Sequence, residues 1–260
     1  MVTSKNPSIN EYNRVTSSVR PLGSTFKIIP YAAALIEGTK LRTKFNDLPT
    51  CWRNYCPKNF SKEYRGSISL IESFKNSSNI VPISITKKVG LRNIINLANS
   101  FGLGYNQTLE EFPSLAIGSY GDSLLKITNA YSAINNNGKI LSPSILEKIE
   151  LSNNQSIWEN KFISKKILDL KVNKKMKKLL EKSVKEGTSR AAFIKGKKIY
   201  GKTGTSDFNK DLWFVGSLDN LTTGIWMGFD DNKKSQLSSG NSAYLWKKFI
   251  SDIYKISIEK

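Results

Sequence analysis

The 260-residue chain contains no histidine. This absence excludes Ser-His-Asp and Cys-His catalysis and every histidine-based zinc site. Acid–base chemistry must fall to Lys, Asp, Glu or Tyr. Only two cysteines occur, Cys51 and Cys56 in "CWRNYC". Two thiols cannot fill a four-ligand zinc site, and they read equally as a local disulfide or as two reduced, buried thiols. No metal or other cofactor is expected. No apolar run reaches the roughly 18 residues of a membrane span. The opening "MVTSKNPSINEYN" lacks the apolar core of a signal peptide, so neither export signal nor anchor is read in this chain. Acidic residues are also scarce, 21 against 40 Lys and Arg, for a net charge of +19.

Such a charge would attract nucleic acid, anionic lipid or an acidic polymer. The lysines are scattered, however, and Lys far outnumbers Arg beside abundant Asn and Ile, as in an AT-rich coding sequence. The densest cluster, "NKKMKKLLEKSVK" from Asn173 to Lys185, has Met176, Leu179, Leu180 and Val184 at helical spacing. It reads as an amphipathic helix with a solvated basic face. No aromatic residue interleaves with its charges, so no nucleic-acid partner is expected.

Apolar residues make up 39 % of the chain, enough for a real core in one large domain or two small ones. Residues 1–20 read as irregular. Ser24–Glu37 reads as a helix stopped by Gly38, with Pro30 expected to disturb its first turns. Residues 39–66 read as loop. "SLIESFKNSSNIVPISITKKVG" predicts two helices meeting at a polar "SSN" junction, and helices follow over Leu91–Gly104 and Asp122–Gly138. From Ile199 the texture becomes β-branched and aromatic. "KKIYGKTGT", "DLWFVGSL" and "LTTGIWMGFDD" predict an antiparallel sheet with a hairpin turn at Asp219-Asn220, and "AYLWKKFISDIYK" a closing helix. The expected fold class is α+β, a single domain over 1–260, with a mainly helical lobe at 21–190 and a sheet with a C-terminal helix at 195–260.

Without histidine, a lysine is the simplest base for a serine. On a helix, residues i and i+3 share a face, and a lysine that is desolvated near other cations loses its proton more easily. The spacing S-x-x-K occurs, among other places, at Ser24/Lys27, Ser84/Lys87 and Ser123/Lys126. Only the first follows "PLG" and opens a helix apolar nearly all round, which implies a buried Lys27. S-x-N occurs, among other places, at Ser8/Asn10, Ser77/Asn79, Ser152/Asn154 and Ser239/Asn241, and only Ser77/Asn79 lies between apolar helical segments. K-T-G occurs once, as Lys202-Thr203-Gly204, on a predicted strand. There Lys202 and the hydroxyls of Thr203 and Thr205 would suit a substrate carboxylate, with Gly204 admitting a ligand closely. The ordered trio S-x-x-K, S-x-N, K-T-G is the known pattern of β-lactamases and penicillin-binding proteins.

The surrounding sequence resembles the transpeptidase domain of class A, bifunctional penicillin-binding proteins from about Tyr12 to Phe249. The resemblance is carried by "NRVTSSVRPLGSTFKIIPYAAAL", "YCPKNFSKEYRGSISLIESFKNSSNIVPISI", "LAIGSYGDSLLKITNAYSAINNNGKILSPSIL", "GTSRAA", "GKTGTSDFNKDLWFVG" and "GIWMGFDD". It implies a D,D-transpeptidase that cross-links peptidoglycan stem peptides ending in D-Ala-D-Ala, with β-lactams as covalent inhibitors. Catalytic roles are implied for Ser24 as acylated nucleophile, Lys27 as general base, Ser77 as proton relay, Asn79 as holder of Lys27 and the substrate backbone, and Lys202 as the source of an electropositive site. Thr203, Gly204 and Thr205 would bind substrate, and the backbone N–H groups of Ser24 and Thr205 would form the oxyanion hole. The implied location is the periplasm, at the outer face of the inner membrane.

Three departures from the family pattern follow. No membrane helix or glycosyltransferase region precedes the match. Two strands that normally join the Lys-Thr-Gly sheet also have no counterpart, so a truncated product with an incomplete sheet is expected. Pro30 stands two places later than the proline often seen after the lysine. Three other readings compete: a β-lactamase or DD-carboxypeptidase, a non-enzymatic remnant or peptidoglycan-binding domain, and a cationic nucleic-acid binder.

Overall fold

The computed structural model describes residues 12–104, 109 and 111–256. The Ser8/Asn10 match lies outside them. In chain order the elements are β1 (Arg20–Pro21), a 3-10 turn at Gly23–Lys27, α1 (Ile28–Ile36), β2 (Lys44–Asp47), β3 (Gly66–Ser69), α2 (Leu70–Lys75), α3 (Ile80–Val89) and α4 (Leu91–Ser100). A second 3-10 turn (Pro113–Ile117), β4 (Gly121–Asp122), α5 (Leu124–Asn135), β5 (Lys139–Ile140), β6 (Lys148–Glu150), β7 (Ser156–Glu159) and β8 (Lys165–Lys166) follow. The chain closes with α6 (Leu170–Glu186), β9 (Ile199–Thr205), β10 (Asp211–Leu218), β11 (Leu221–Gly228) and α7 (Ser239–Ile253). This is an α+β fold.

α1 is the central helix because it is apolar on every face. Ile28 to Leu35 are all buried, against α3, α4 and α6. Pro30 does not break it. The proline stands in the first α-helical turn, where an N–H needs no partner, and the preceding residues take the tighter 3-10 form instead. The helix stops at Gly38 (φ +84°) in a Schellman arrangement, with Thr39 N–H donating to the Ala34 carbonyl at 3.0 Å and Gly38 N–H to that of Leu35 at 3.2 Å.

The sheet has the order β11-β10-β9, all antiparallel. Its middle strand "DLWFVGSL" is buried throughout because helices cover both faces. Trp213 and Val215 join the core of the helical lobe, and Phe214 points the other way, onto Trp246 of α7 (ring centroids 5.1 Å apart). The β10–β11 turn is the two residues Asp219-Asn220, closed by the pair Leu218↔Leu221.

The segment 139–166, within the lobe expected to be mainly helical, instead forms two small antiparallel pairs, β5–β8 and β6–β7. The β6–β7 pair is fully exposed. Strands of two to four residues without a buried face leave no alternating signature, so periodicity could not reveal them. Cys51 and Cys56 are joined as a disulfide, which closes a short loop between β2 and β3.

Candidate active site

The serine turn and the Lys-Thr-Gly strand are pressed together with no room for side chains between them. Gly23 holds φ +51°, and a Cβ there would sit 2.5 Å from the Thr205 carbonyl oxygen. A Cβ on Gly204 would lie 2.7 Å from the Leu22 carbonyl oxygen and 2.7 Å from Thr25 Cγ2. Gly204 therefore admits the protein's own serine turn. This corrects the expectation that it faces a ligand, and Gly204 does not line the cleft.

That cleft, of about 1390 Å³, is lined by Ser24, Ser77, Asn79, Thr203 and Thr205, among others. Ser24 Oγ has no hydrogen-bond partner among the described residues. Lys27, fully buried, directs its three donors at the Ser-x-Asn junction: Ser77 O at 2.7 Å, Ser77 Oγ at 3.2 Å and Asn79 Oδ1 at 2.6 Å. The direct Ser24–Lys27 hydrogen bond that i,i+3 spacing allows is not made. Catalytic hydrogen bonds commonly tighten only when substrate is bound.

Lys202, also fully buried, reaches the same hydroxyl. Its Nζ donates to Ser77 Oγ at 3.0 Å, Thr203 O at 3.0 Å and Thr188 Oγ1 at 3.3 Å. Ser77 Oγ is thus shared by the two lysine amines. Burial lowers the Lys202 pKa to about 7. Burial, and then the nearby charge of Lys202, hold Lys27 well below an ordinary lysine, while Asp47 opposes that shift.

The Ser-x-Asn junction is a helix stop with the wrong residue for the backbone. Ser77 N–H donates to Phe74 O at 3.0 Å and Ser78 N–H to Ser73 O at 2.9 Å, the Schellman closure of α2. Ser77 occupies the left-handed position (φ +56°) that normally takes glycine. A serine there costs about 1 kcal/mol, and such local strain gathers at functional sites.

The other spacings resolve into helix and turn chemistry. Ser123 caps α5 by accepting Lys126 N–H at 3.3 Å. Ser84 donates to Ile80 O at 3.3 Å, and Lys87 is exposed. Asn154 (φ +64°) sits in the β6–β7 turn, and Asn241 belongs to the capping box of α7.

Four polar residues escaped the sequence reading. Thr188 contacts both Lys202 and Thr203, and Ser239 Oγ accepts from Thr205 Oγ1 at 2.9 Å. Asp47 and Asn59 stand behind the Ser-x-Asn turn. Thr188 and Asn59 left a trace only within quoted stretches, "GTSRAA" and "YCPKNF", and Ser239 only in a Ser-x-Asn spacing given no role. No cluster of His, Cys, Asp and Glu able to hold a metal occurs among the described residues, and no described helix is long and apolar enough to cross a membrane.

The family model of the penicillin binding protein transpeptidase domain matches residues 1–249. The chain belongs to that family. Penicillin-binding protein 1A of Rickettsia typhi is 30% identical over 283 aligned positions, which cover 95% of this chain and 35% of that protein. The chain therefore spans about a third of the length of the curated relatives it matches. Among solved structures, penicillin-binding protein 1A of Haemophilus influenzae superposes with a TM-score of 0.85 at 23% identity, over 96% of this chain and 45% of that one. An imipenem acyl-enzyme of penicillin-binding protein A from M. tuberculosis superposes with a TM-score of 0.79 at 20% identity, over 95% and 63%. At those identities the superpositions show the fold.

Proposed function

We propose that the chain acts, as a single domain, as a serine D,D-transpeptidase that cross-links peptidoglycan stem peptides and is acylated by β-lactams. The observation that carries this reading is Ser77 Oγ, held between the two buried lysines at 3.2 and 3.0 Å beside an unbonded Ser24 hydroxyl.

Neutral Lys27 takes the Ser24 proton as Oγ attacks the carbonyl carbon of the D-Ala-D-Ala peptide bond. The Ser24 N–H meets the developing oxyanion. No backbone carbonyl takes this N–H among the described residues, and Pro21 O is already bonded to Trp213 Nε1 at 2.9 Å. The proton passes from Lys27 through Ser77 to the leaving nitrogen, and D-Ala departs. An amine of a neighbouring stem peptide then attacks the ester carbonyl and gives a proton to Lys27, and Lys27 returns it to Ser24 Oγ as the acyl–Oγ bond breaks. Lys202, Thr203 and Thr205 bind the substrate carboxylate. Thr205 Oγ1 is presented by its bond to Ser239. The site lies in the periplasm in this reading.

The test is labelling by a fluorescent penicillin. A stable adduct on the folded protein that vanishes in Ser24→Ala supports the reading. Rapid turnover of the adduct would make the chain a β-lactamase, and absence of any adduct would make it a non-enzymatic domain.

A further inference from the structure

The proposed mechanism leaves the buried carboxylate of Asp47 without a task. Asp47, the last residue of β2, is 1% exposed and lies under the Ser-x-Asn turn. It accepts Ser78 Oγ at 2.6 Å, Asn59 Nδ2 at 3.1 and 3.2 Å, and Arg65 N–H at 3.1 Å. Four such bonds with no donation suit an ionised carboxylate.

We propose that Asp47 is a positioning residue, whose carboxylate acts through Asn59 and Ser78 to hold Asn79 where Asn79 orients the Lys27 amine. Two arms run from the one carboxylate. The first goes through Asn59, whose amide donates to Asp47 and whose Oδ1 accepts the Asn79 N–H at 2.8 Å. The second goes through Ser78. Its hydroxyl donates to Asp47 and accepts the N–H groups of Ile80 and Val81 at 3.1 and 3.2 Å, which fixes the first turn of α3. Asn79 stands between the two anchored points and accepts Lys27 Nζ at 2.6 Å.

The turn needs such an anchor because Ser77 is in a backbone conformation it does not favour. A strained residue persists only where its surroundings over-determine it. An ionised acceptor under the turn supplies stronger hydrogen bonds than a neutral one. It also orients each neutral partner: with its Nδ2 committed to Asp47 and to Glu63 O (2.9 Å), Asn59 can only present its oxygen to Asn79. Asn79 Nδ2 is likewise committed, to Lys58 O at 2.7 Å, so its oxygen faces Lys27. The carboxylate thus sets the direction of the Asn59 amide, and the Lys58 carbonyl that of the Asn79 amide.

The inference rests on the reading of Lys27 as base. The test measures the non-covalent affinity for a fluorescent penicillin and the acylation rate constant separately, by stopped flow, for wild type, Asp47→Asn and the exchanged pair Asp47→Asn/Asn59→Asp, with thermal unfolding of each. Asp47→Asn is expected to bind penicillin non-covalently within about twofold of wild type but to acylate roughly 10- to 100-fold more slowly, the loss that about an ångström of misplacement produces. The exchanged pair would set a carboxylate at 59 against the Glu63 carbonyl and an amide NH2 at 47 against Ser78 Oγ or the Arg65 N–H, and is expected to be no faster than the single variant. A wild-type acylation rate per folded molecule of Asp47→Asn overturns the proposal, whatever its melting temperature. So does an exchanged pair as fast as wild type. If Asp47→Asn does not fold, Asn59→Ala, which cuts one arm, is read in the same way. If wild type itself is not acylated, the functional reading fails, and crystal structures of wild type and Asp47→Asn then decide the positioning claim. Loss of the Lys27–Asn79 contact in the variant supports it, and an unchanged contact overturns it.

Discussion

Lys202 Nζ and Ser77 Oγ are 3.0 Å apart, although 125 residues separate them in the sequence. The strand that carries Lys202 and the helix stop that carries Ser77 meet over a hydroxyl that Lys27 also holds. In the proposed chemistry this shared oxygen carries the proton from Lys27 to the leaving nitrogen.

Ser77 combines a useful hydroxyl with an unfavourable backbone. Ser77→Gly removes the hydroxyl and relieves the left-handed strain at φ +56°. It is expected to raise stability by about 0.5–1 kcal/mol in urea unfolding. The same variant is expected to lose about 10²- to 10⁴-fold in penicillin acylation, the range for a proton-transfer group. A variant that is less stable and equally reactive would contradict both halves.

The acylation rate should depend on pH as a bell. Lys27 must be neutral to accept the Ser24 proton, so the rate rises with pH through its lowered pKa, which burial and Lys202 set. Lys202 must be charged to hold the substrate carboxylate, and burial lowers its pKa to about 7, so the rate falls again as pH rises through that value. In Lys202→Arg the guanidinium does not titrate, and the alkaline limb of the second-order rate constant should disappear.

The same buried lysine couples stability to pH. Between about 7 and the ordinary 10.5, the unfolded chain binds a proton at Lys202 that the folded chain does not. Stability therefore rises with pH across that window, by up to about 1.4 kcal/mol per unit. Unfolding in urea at pH 7 and pH 9 should show a larger gain for wild type than for Lys202→Met.

Close packing predicts one further cost. Gly204→Ala would drive a Cβ to 2.7 Å from the Leu22 carbonyl oxygen. A loss of about 1–3 kcal/mol is expected in thermal unfolding, with a slower penicillin reaction because the serine turn must move.

The sequence carried the helical lobe, the three-stranded sheet and the closing helix, because long apolar periodicities and continuous buried strands leave a strong imprint. It also singled out Ser24/Lys27 for the proposed chemistry, since that pair opens an all-apolar helix. Asp47, Asn59 and Ser239 could not be read this way. A lone Asp, Asn or Ser in a polar loop has no periodicity, and each acquires its role only through a partner far along the chain. The role of Gly204 was misread because its neighbour is another turn of the protein, a contact no local pattern encodes. The β6–β7 pair was missed for want of a buried face.

The most direct test of the Ser24 acyl-enzyme is mass spectrometry of the chain after incubation with penicillin, followed by mapping of the modified peptide. One penicilloyl group on Ser24, absent from Ser24→Ala, is the expected result. A folded chain that carries no adduct, or carries one that survives Ser24→Ala, would contradict it.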